Sequence, residues 1–261
     1  MPNNKSSFLR SPLSNTLSRR DLLGFAAKGA ASVVVSQSIL GCSTNSVLAA
    51  DTSDSGADTN TGSTACVLTA ALTEGPYFVD EKLNRSDIRS DPNSGIVSPG
   101  APLGLTFNVS RVSTSACTPL TGAYLDVWHC DAVGAYSDVS GSSRKFLRGY
   151  QITDESGIAR FTTIYPGWYS GRAVHVHFKL RLFAGATKTY EFTSQFFFNE
   201  SLNDTVHAQS PYSNKGRRNV VNTSDGIYNS LSATAKAGLT LQTTTDANGY
   251  AGVIDLGVRV G

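Results

Sequence analysis

The sequence predicts an all-β fold, a sandwich or a barrel of short strands, on three observations. Apolar and polar residues alternate with period two in several short runs, as they do in strands with one buried face. Turn-forming residues separate these runs, for example at Asp154–Gly157 and at Pro166-Gly167. Helical periodicity is thin, and only Ser201–His207 suggests a turn or two of helix.

Each strand is predicted from its own pattern. In the first run, Leu103, Leu105, Phe107 and Val109 alternate with polar partners, and in the run that ends at residue 198 three phenylalanines share one face. The run before Pro166-Gly167 is short and ends at a strong turn signal. The predicted strands, in chain order, cover residues 103–109, 125–129, 161–164, 173–183, 190–198, 239–241 and 250–258.

The first 42 residues are predicted to be a targeting segment. Ser18–Leu23 resembles a twin-arginine export signal, and an apolar stretch follows from Leu22 to Leu40. Two processing sites remain open: a lipobox that would attach a lipid anchor to Cys42, or signal-peptidase cleavage near Ala49. Both predict export from the bacterial cytoplasm, as a periplasmic, membrane-anchored or secreted protein.

Residues 43–65 are small and polar without periodicity, which predicts a flexible linker, and residues 66–261 are predicted to form the β domain. Five of the 22 basic residues and one of the 20 acidic residues lie in the first 50 positions, so the rest of the chain has a net charge of −2. No basic stripe remains, and nucleic acid is therefore not an expected partner.

The cysteines of an exported protein can form a disulfide. If Cys42 is lipidated or removed, three cysteines remain, and we predict that Cys66 pairs with Cys117 because both lie near the ends of segments. The alternative pairing uses Cys130, which follows the strand at 125–129.

Two histidines one residue apart, His175 and His177, form the candidate metal site. In a strand their rings project from the same face, with Cα atoms about 6–7 Å apart, so both can turn toward one ion. The alternating residues Val174, Val176 and Phe178 make up the apolar face that the core requires. The histidines therefore lie on a face that the fold leaves polar, where zinc, copper or iron could bind.

The remaining ligands are not obvious from the neighbouring sequence. Between Phe161 and Leu180 there is no Asp, Glu or Cys, but there are two tyrosines, Tyr165 and Tyr169. A phenol has a free pKa near 10, so it binds as phenolate only to a strongly Lewis-acidic ion, and Fe(III) is the natural candidate.

Six short motifs occur in order along the chain. They are Thr73–Phe78 (TEGPYF), Val127–Ser137 (VWHCDAVGAYS), Leu147–Gln151 (LRGYQ), Thr163–Tyr169 (TIYPGWY), Gly171–Phe178 (GRAVHVHF) and Thr193–Phe197 (TSQFF). Together these segments resemble the intradiol ring-cleavage dioxygenases, the family of protocatechuate and catechol dioxygenases. The resemblance covers about residues 66 to 258 and implies a β-sandwich with long loops and little helix, holding one mononuclear non-haem Fe(III) per chain.

Position by position, the resemblance implies that the iron ligands are Tyr136, Tyr169, His175 and His177. Tyr169 is favoured over Tyr165 because the family places this ligand three residues after the proline that matches Pro166. Tyr169 is also implied to be the general base that takes a proton from the substrate.

The resemblance further implies roles beside the metal. Arg172 would be the active-site arginine, which contacts the substrate, and Gln195 would be a third catalytic residue beside Tyr169 and Arg172. The segment Gly75-Pro76-Tyr77 would wall the substrate pocket. Strand alternation alone predicts that Gln195 is exposed, His129 is interpreted as structural, and His207 is placed in a polar loop.

The implied function is cleavage of a catecholic ring between its two hydroxylated carbons, with O2, to give a cis,cis-muconate-type diacid. The partners are then a small catechol and O2, while the identity of the catechol and the oligomeric state stay open. The alternative is an exported β-sandwich binding module whose histidine pair is incidental or holds zinc or copper, but that function has no use for Tyr136, Tyr169 and Arg172.

Overall fold

The computed structural model describes residues 67–114, 116–139 and 142–260, which form a mostly β structure with short helices. This confirms the predicted fold class. The strands are β1 (Pro102–Val112), β2 (Cys117–Pro119), β3 (Tyr124–Trp128), β4 (Arg148–Ile152), β5 (Ile158–Ile164), β6 (His175–Ala184), β7 (Thr187–Phe198), β8 (Thr240–Asp246) and β9 (Gly249–Val258). The helices are α1 (Glu200–His207), α2 (Gly226–Asn229) and α3 (Ala233–Leu239), with 3₁₀ turns at Tyr212–Lys215 and Asn222–Ser224.

The strands form two halves of a curled sheet. In one half β4, β3, β6 and β7 are neighbours and antiparallel. In the other half β8, β9 and β1 are neighbours, β9 runs parallel to β1, and β5 and β2 pair with β1. Among the described strands, two residue pairs between β7 and β8 join the halves. The halves can therefore fold face to face around one core.

Aromatic contacts show where the halves meet. The ring of Phe107 on β1 lies 5.9 Å from that of Phe178 on β6 and 6.1 Å from that of Phe196 on β7. All three side chains are fully buried. The alternation predicted for residues 103–109 is confirmed, because Leu103, Leu105, Phe107 and Val109 all face this core.

Truncating the central ring should weaken the whole fold. We expect Phe107→Ala to lower the free energy of unfolding by about 3–5 kcal/mol, the usual cost of removing a buried phenylalanine. Phe183→Ala, at an exposed position on β6, should cost about 1 kcal/mol or less. Urea denaturation of both variants measures the difference, and equal losses would contradict the position of Phe107 between the two halves.

The strand β6 is buried on both faces, which its alternation does not reveal. Val176 and Phe178 face the core, while Lys179 and Arg181 on the other face are also buried. The segment 69–80 covers that second face. It is held there by ion pairs of Lys179 with Glu74 and of Arg181 with Asp80, and by Phe78, whose ring lies 3.9 Å from the Lys179 ammonium.

The cysteines are distinguished by their bonding. Cys117 is disulfide-bonded, whereas Cys130 is a free, buried thiol. The alternative pairing through Cys130 is therefore wrong. The predicted partner Cys66 lies outside the described residues, as do the targeting segment, Cys42, Ala49 and the linker, so those interpretations stay predictions. Among the described residues, no helix is long and apolar enough to cross a membrane.

Candidate active site

The two histidines lie at the start of β6, a strand that runs between β3 and β7. Register places His177 opposite Trp128 on one side and opposite Gln195 on the other. The indole of Trp128 stacks on the His177 ring, with centroids 4.9 Å apart and planes 7° apart. As the alternation predicted, both imidazoles point away from the core, and their Nε2 atoms are 3.1 Å apart.

Burial keeps both imidazoles neutral. It lowers the pKa of His175 to about 3 and that of His177 well below its ordinary value, with the neighbouring cation of Arg172 adding to both effects. Nδ1 of His175 donates to the carbonyl oxygen of Ala173 over 2.6 Å, so its Nε2 carries a lone pair. A neutral ring held by a backbone carbonyl is the usual arrangement of a metal-binding histidine.

Two tyrosines from separate loops complete the cluster. Tyr136 lies between β3 and β4, and Tyr169 lies between β5 and β6. The Tyr169 hydroxyl is 3.2 Å from His175 Nε2, and the two phenol rings are 5.6 Å apart. Burial raises the pKa of Tyr169 to about 12 and that of Tyr136 well above its ordinary value. Without a bound metal ion both phenols therefore stay protonated at neutral pH.

The competing tyrosine is part of the core. The Tyr165 hydroxyl donates to Asn203 Oδ1 over 2.8 Å, and its ring lies 4.5 Å from that of Phe198. Its side chain is fully buried in the main hydrophobic cluster. The structure thus brings Tyr169, and not Tyr165, to the histidine pair.

Arg172 reaches the same cluster and is held from two directions. Its Nη2 donates to Gln195 Oε1 over 2.6 Å and its Nε donates to Asp225 Oδ2 over 2.8 Å. Its Nη1 lies 3.4 Å from His175 Nε2. Two of the three guanidinium nitrogens are thus engaged by protein, and the third is next to the histidine pair.

Gln195 is fully buried, so the exposure that strand alternation predicted is wrong. Its Nε2 donates to the carbonyl oxygen of Thr73 over 2.6 Å, while its Oε1 accepts from Arg172. The segment 69–80 covers this face of β7, and alternation along β7 carries no information about that segment.

The predicted pocket wall lies directly against the cluster. Gly75 has a φ of +70°, and a Cβ at this position would stand 3.3 Å from His177 Cε1. The Tyr77 ring stacks on that of Tyr136 at 4.3 Å and meets that of Tyr169 edge-on at 6.0 Å. Pro76, between them, is exposed. Gly75 therefore provides both an αL backbone conformation and a close approach to His177.

Two residues of this neighbourhood were missed by the sequence reasoning. Trp128 becomes relevant only through the pairing of β3 with β6. Asp225 precedes Gly226 in a polar stretch, where the only local signal is that of a helix cap. Its contact with Arg172 spans 53 positions of the chain.

The other two histidines are structural. As interpreted from the sequence, His129 is buried away from solvent, with Nε2 2.7 Å from Thr163 Oγ1 and Nδ1 2.8 Å from the Cys130 carbonyl oxygen. The placement of His207 in a polar loop is wrong. It ends α1, is buried, and stacks on Tyr212 at 5.3 Å.

The donor set fits a hard, strongly Lewis-acidic ion. In the described parts of the chain no group of three or more His, Cys, Asp or Glu side chains could hold a metal. The phenols of Tyr169 and Tyr136, which lie beside the histidine pair, are therefore the candidate further ligands. The spacings of 3.1 Å between the two Nε2 atoms and 3.2 Å to the Tyr169 hydroxyl suit neighbouring ligands each about 2.1 Å from one ion. In addition, the buried Tyr136 hydroxyl lacks a well-formed hydrogen bond to any described residue.

Comparison with known proteins gives a consistent result. A protein-family model described as "Dioxygenase" matches residues 73–237, a range that contains every site residue named above. No curated protein sequence matches the chain.

Several solved structures are similar. An intradiol ring-cleavage dioxygenase from Tetranychus urticae is 28% identical, with a TM-score of 0.64, over 74% of this chain and 95% of that one. The dioxygenase domain of a dioxygenase carbohydrate-binding protein fusion from Streptomyces sp. SirexAA-E is 29% identical, with a TM-score of 0.53, over 75% and 100%. A 3-chlorocatechol 1,2-dioxygenase from Rhodococcus opacus 1CP, at 19% identity and a TM-score of 0.51 over 72% and 71%, shares the fold.

Proposed function

The chain belongs to the intradiol ring-cleavage dioxygenases, and on that premise we propose that it is an Fe(III) enzyme acting on a catecholic small molecule. It uses O2 to cleave the ring between the two hydroxylated carbons and releases a cis,cis-muconate-type diacid. The single observation that carries this proposal is the cluster of two phenols around the histidine pair: the Tyr169 hydroxyl lies 3.2 Å from His175 Nε2, and the Tyr136 ring lies 6.2 Å from the His177 ring.

Those four side chains would hold one Fe(III) per chain. When bound, the ion would supply the Lewis acidity that ionises phenols and catechol hydroxyls at neutral pH and that prepares the ring for reaction with O2. The protein prepares the nitrogen donors in advance. His175 is oriented by the Ala173 carbonyl, His177 stacks on Trp128 and lies close to the Gly75 backbone, and burial keeps both rings neutral.

The two tyrosines differ in exposure, and this difference suggests their roles. Tyr136 is buried beneath Tyr77, whereas Tyr169 is only partly buried and begins the short 169–174 turn. The more accessible Tyr169 hydroxyl is better placed to meet a substrate hydroxyl. We therefore assign to Tyr169 the role of the general base that takes a proton from the catechol.

Arg172 supplies a fixed positive charge beside the reacting ring. Because its other two nitrogens are bound by Asp225 and Gln195, the guanidinium keeps one edge toward the site without reorganising during the reaction. Preorganised charge of this kind stabilises negative charge that develops in the transition state. Tyr77 and Pro76 provide the flat wall against which an aromatic ring can pack.

The test begins with the purified full-length protein. Metal analysis should find about one iron per chain, the solution should be red-brown from tyrosinate-to-Fe(III) charge transfer, and a catechol added without oxygen should shift the visible band. Oxygen uptake across a panel of catechols should be stoichiometric, with both atoms of ¹⁸O2 recovered in a ring-opened diacid. A colourless protein that holds zinc or copper and takes up no oxygen would refute the proposal.

Replacing Gly75 should damage the site specifically. Gly75→Ala places a Cβ against His177 in an αL backbone, and we expect at least about a 10-fold loss of iron affinity or turnover, the lower end of the cost of disturbing the support of a metal ligand. Gly95→Ala is the matched control, because Gly95 has a φ of +71° but nothing within 4 Å of the added Cβ. Both variants should lose about 1–2 kcal/mol of stability through backbone strain. Equal activity in the two variants would contradict the role of Gly75.

We further propose that residues 1–42 direct export, with a lipid anchor at Cys42 or cleavage near Ala49. The support is the Arg19-Arg20 pair followed by an apolar stretch. Changing both arginines to lysine should retain the protein in the cytoplasm, as measured by fractionation of the expressing cells. Mass spectrometry of the mature N-terminus would distinguish the two processing sites, and export unaffected by the double change would contradict the twin-arginine route.

A further inference from the structure

Asp225 is a fully buried carboxylate without an assigned role. Its Oδ1 accepts from the backbone N–H groups of Ile227 and Tyr228, both at 2.9 Å, and thereby caps α2. Its Oδ2 accepts from Arg172 Nε and from the backbone N–H of Ala173, both at 2.8 Å. One side chain therefore joins a helix end to the loop that carries Arg172.

The two oxygens make different demands on the residue type. Capping α2 requires a single acceptor, which Ser or Asn supplies as well as Asp. Bridging Arg172 and Ala173 requires a second acceptor that bears charge, because a guanidinium is held most strongly by a carboxylate. A cap alone would therefore not need the carboxylate that this position has.

The geometry of Arg172 depends on this second oxygen. Asp225 holds Nε and Gln195 holds Nη2, so the planar guanidinium is constrained at two corners and its Nη1 is directed toward His175. The loop itself gives little support, because Gly171 is exposed with a φ of +89°. The bond from Ala173 to Asp225 fixes the backbone one residue after Arg172.

We propose that Asp225 is the positioning residue that holds the Arg172 guanidinium in its working orientation, in addition to capping α2. This inference rests on the proposed dioxygenase function, and it assigns Asp225 no direct contact with the substrate. Loss of the second oxygen should free the guanidinium to rotate while the metal ligands stay in place. Turnover should then fall, but iron content should not.

The test compares Asp225→Asn and Asp225→Ser, which both keep a capping oxygen, with wild type. We expect kcat to fall about 10- to 100-fold, as for other residues that orient a site, with unchanged iron content and only a small change of KM. Ser232→Ala is the matched control. It removes the cap of α3, whose Ser232 Oγ accepts from Ala235 N–H, at a place that does not touch Arg172. Its kcat should stay within about twofold of wild type.

A double-mutant cycle shows whether Asp225 acts through Arg172. In an Arg172→Ala background, Asp225→Asn should lower kcat by less than about twofold further. The same four proteins are also compared without metal by urea denaturation. The shifts of the urea midpoint caused by the two single substitutions should not add up to the shift in the double variant. Full additivity in both cycles, an unchanged kcat in Asp225→Asn, or failure of both Asp225 variants to fold would overturn the inference.

These outcomes are distinct from a failure of the proposed function. If wild-type protein takes up oxygen with a catechol but the cycles are additive, only the role of Asp225 is wrong. If wild-type protein has no such activity, the proposed function fails, while the midpoint cycle still reports whether Asp225 and Arg172 are coupled.

Discussion

Alanine at His175 or at His177 is expected to remove iron from the protein and to abolish oxygen uptake. Each ring presents Nε2 to the same point, 3.1 Å from the other, and each is buried and neutral. Changing groups that merely orient a metal ligand costs about 10- to 100-fold in affinity or activity, so loss of a ligand should cost more than about 100-fold. The measurements are iron per chain, the visible spectrum and the rate of oxygen uptake.

The matched control is His207→Gln, which replaces another buried histidine. His207 contacts the Pro166 carbonyl oxygen through Nε2 at 3.1 Å and stacks on Tyr212, and neither contact belongs to the metal cluster. This variant should lose stability but keep its iron and its colour. If a His175 or His177 variant kept full iron content and turnover, the metal site would have to lie elsewhere.

Phenylalanine at Tyr169 is expected to lower kcat by about 10²- to 10⁴-fold, the range over which a positioned acid or base contributes to catalysis. The variant loses the hydroxyl that lies 3.2 Å from His175 Nε2, but it keeps the aromatic packing against Tyr136 and Tyr77. Because one phenolate would leave the iron, the visible band should also shift. Stopped-flow kinetics per bound iron separates the catalytic effect from metal loss.

Tyr165→Phe distinguishes the two tyrosines of the same segment. It removes the hydrogen bond to Asn203 and should cost about 1 kcal/mol of stability. Its spectrum should be unchanged and its kcat should stay within about twofold of wild type. A colour change in Tyr165→Phe, or full turnover in Tyr169→Phe, would contradict the assignment of the base and of the second phenol ligand.

Seven of the nine described strands could be predicted because alternation is local, whereas β2 and β4 were not predicted. The faces of β1 and β6 follow from residue types two positions apart, and the core side chains Phe107, Val176 and Phe178 lie where that pattern places them. The helices α2 and α3 were not predicted. Helix α2 has four residues and α3 has seven, so each spans two turns or fewer. Neither has enough buried residues to show a helical repeat of apolar positions.

The burial of polar side chains could not be predicted in the same way. Alternation places Gln195 on the face opposite the core and leaves it exposed, whereas the structure covers that face with the segment 69–80. The same segment buries Lys179 and Arg181. Whether the polar face of a strand is exposed to solvent depends on a segment far away in the sequence. The residue pattern of the strand itself does not indicate whether such a segment covers it.

By itself the sequence determined that His175 and His177 share one face, that no carboxylate or thiol stands near them along the chain, and that tyrosine is the available donor. These are properties of neighbours on one strand and its flanking turns, fixed by backbone geometry. The family resemblance pointed to Tyr169, but only the tertiary structure showed that its hydroxyl reaches His175, that Trp128 and Gly75 lie against His177, and that Asp225 holds Arg172. Apart from the contact of Tyr169 with His175, which spans six positions, these contacts join segments far apart in the chain. They form only when burial of the shared core brings the strands into register.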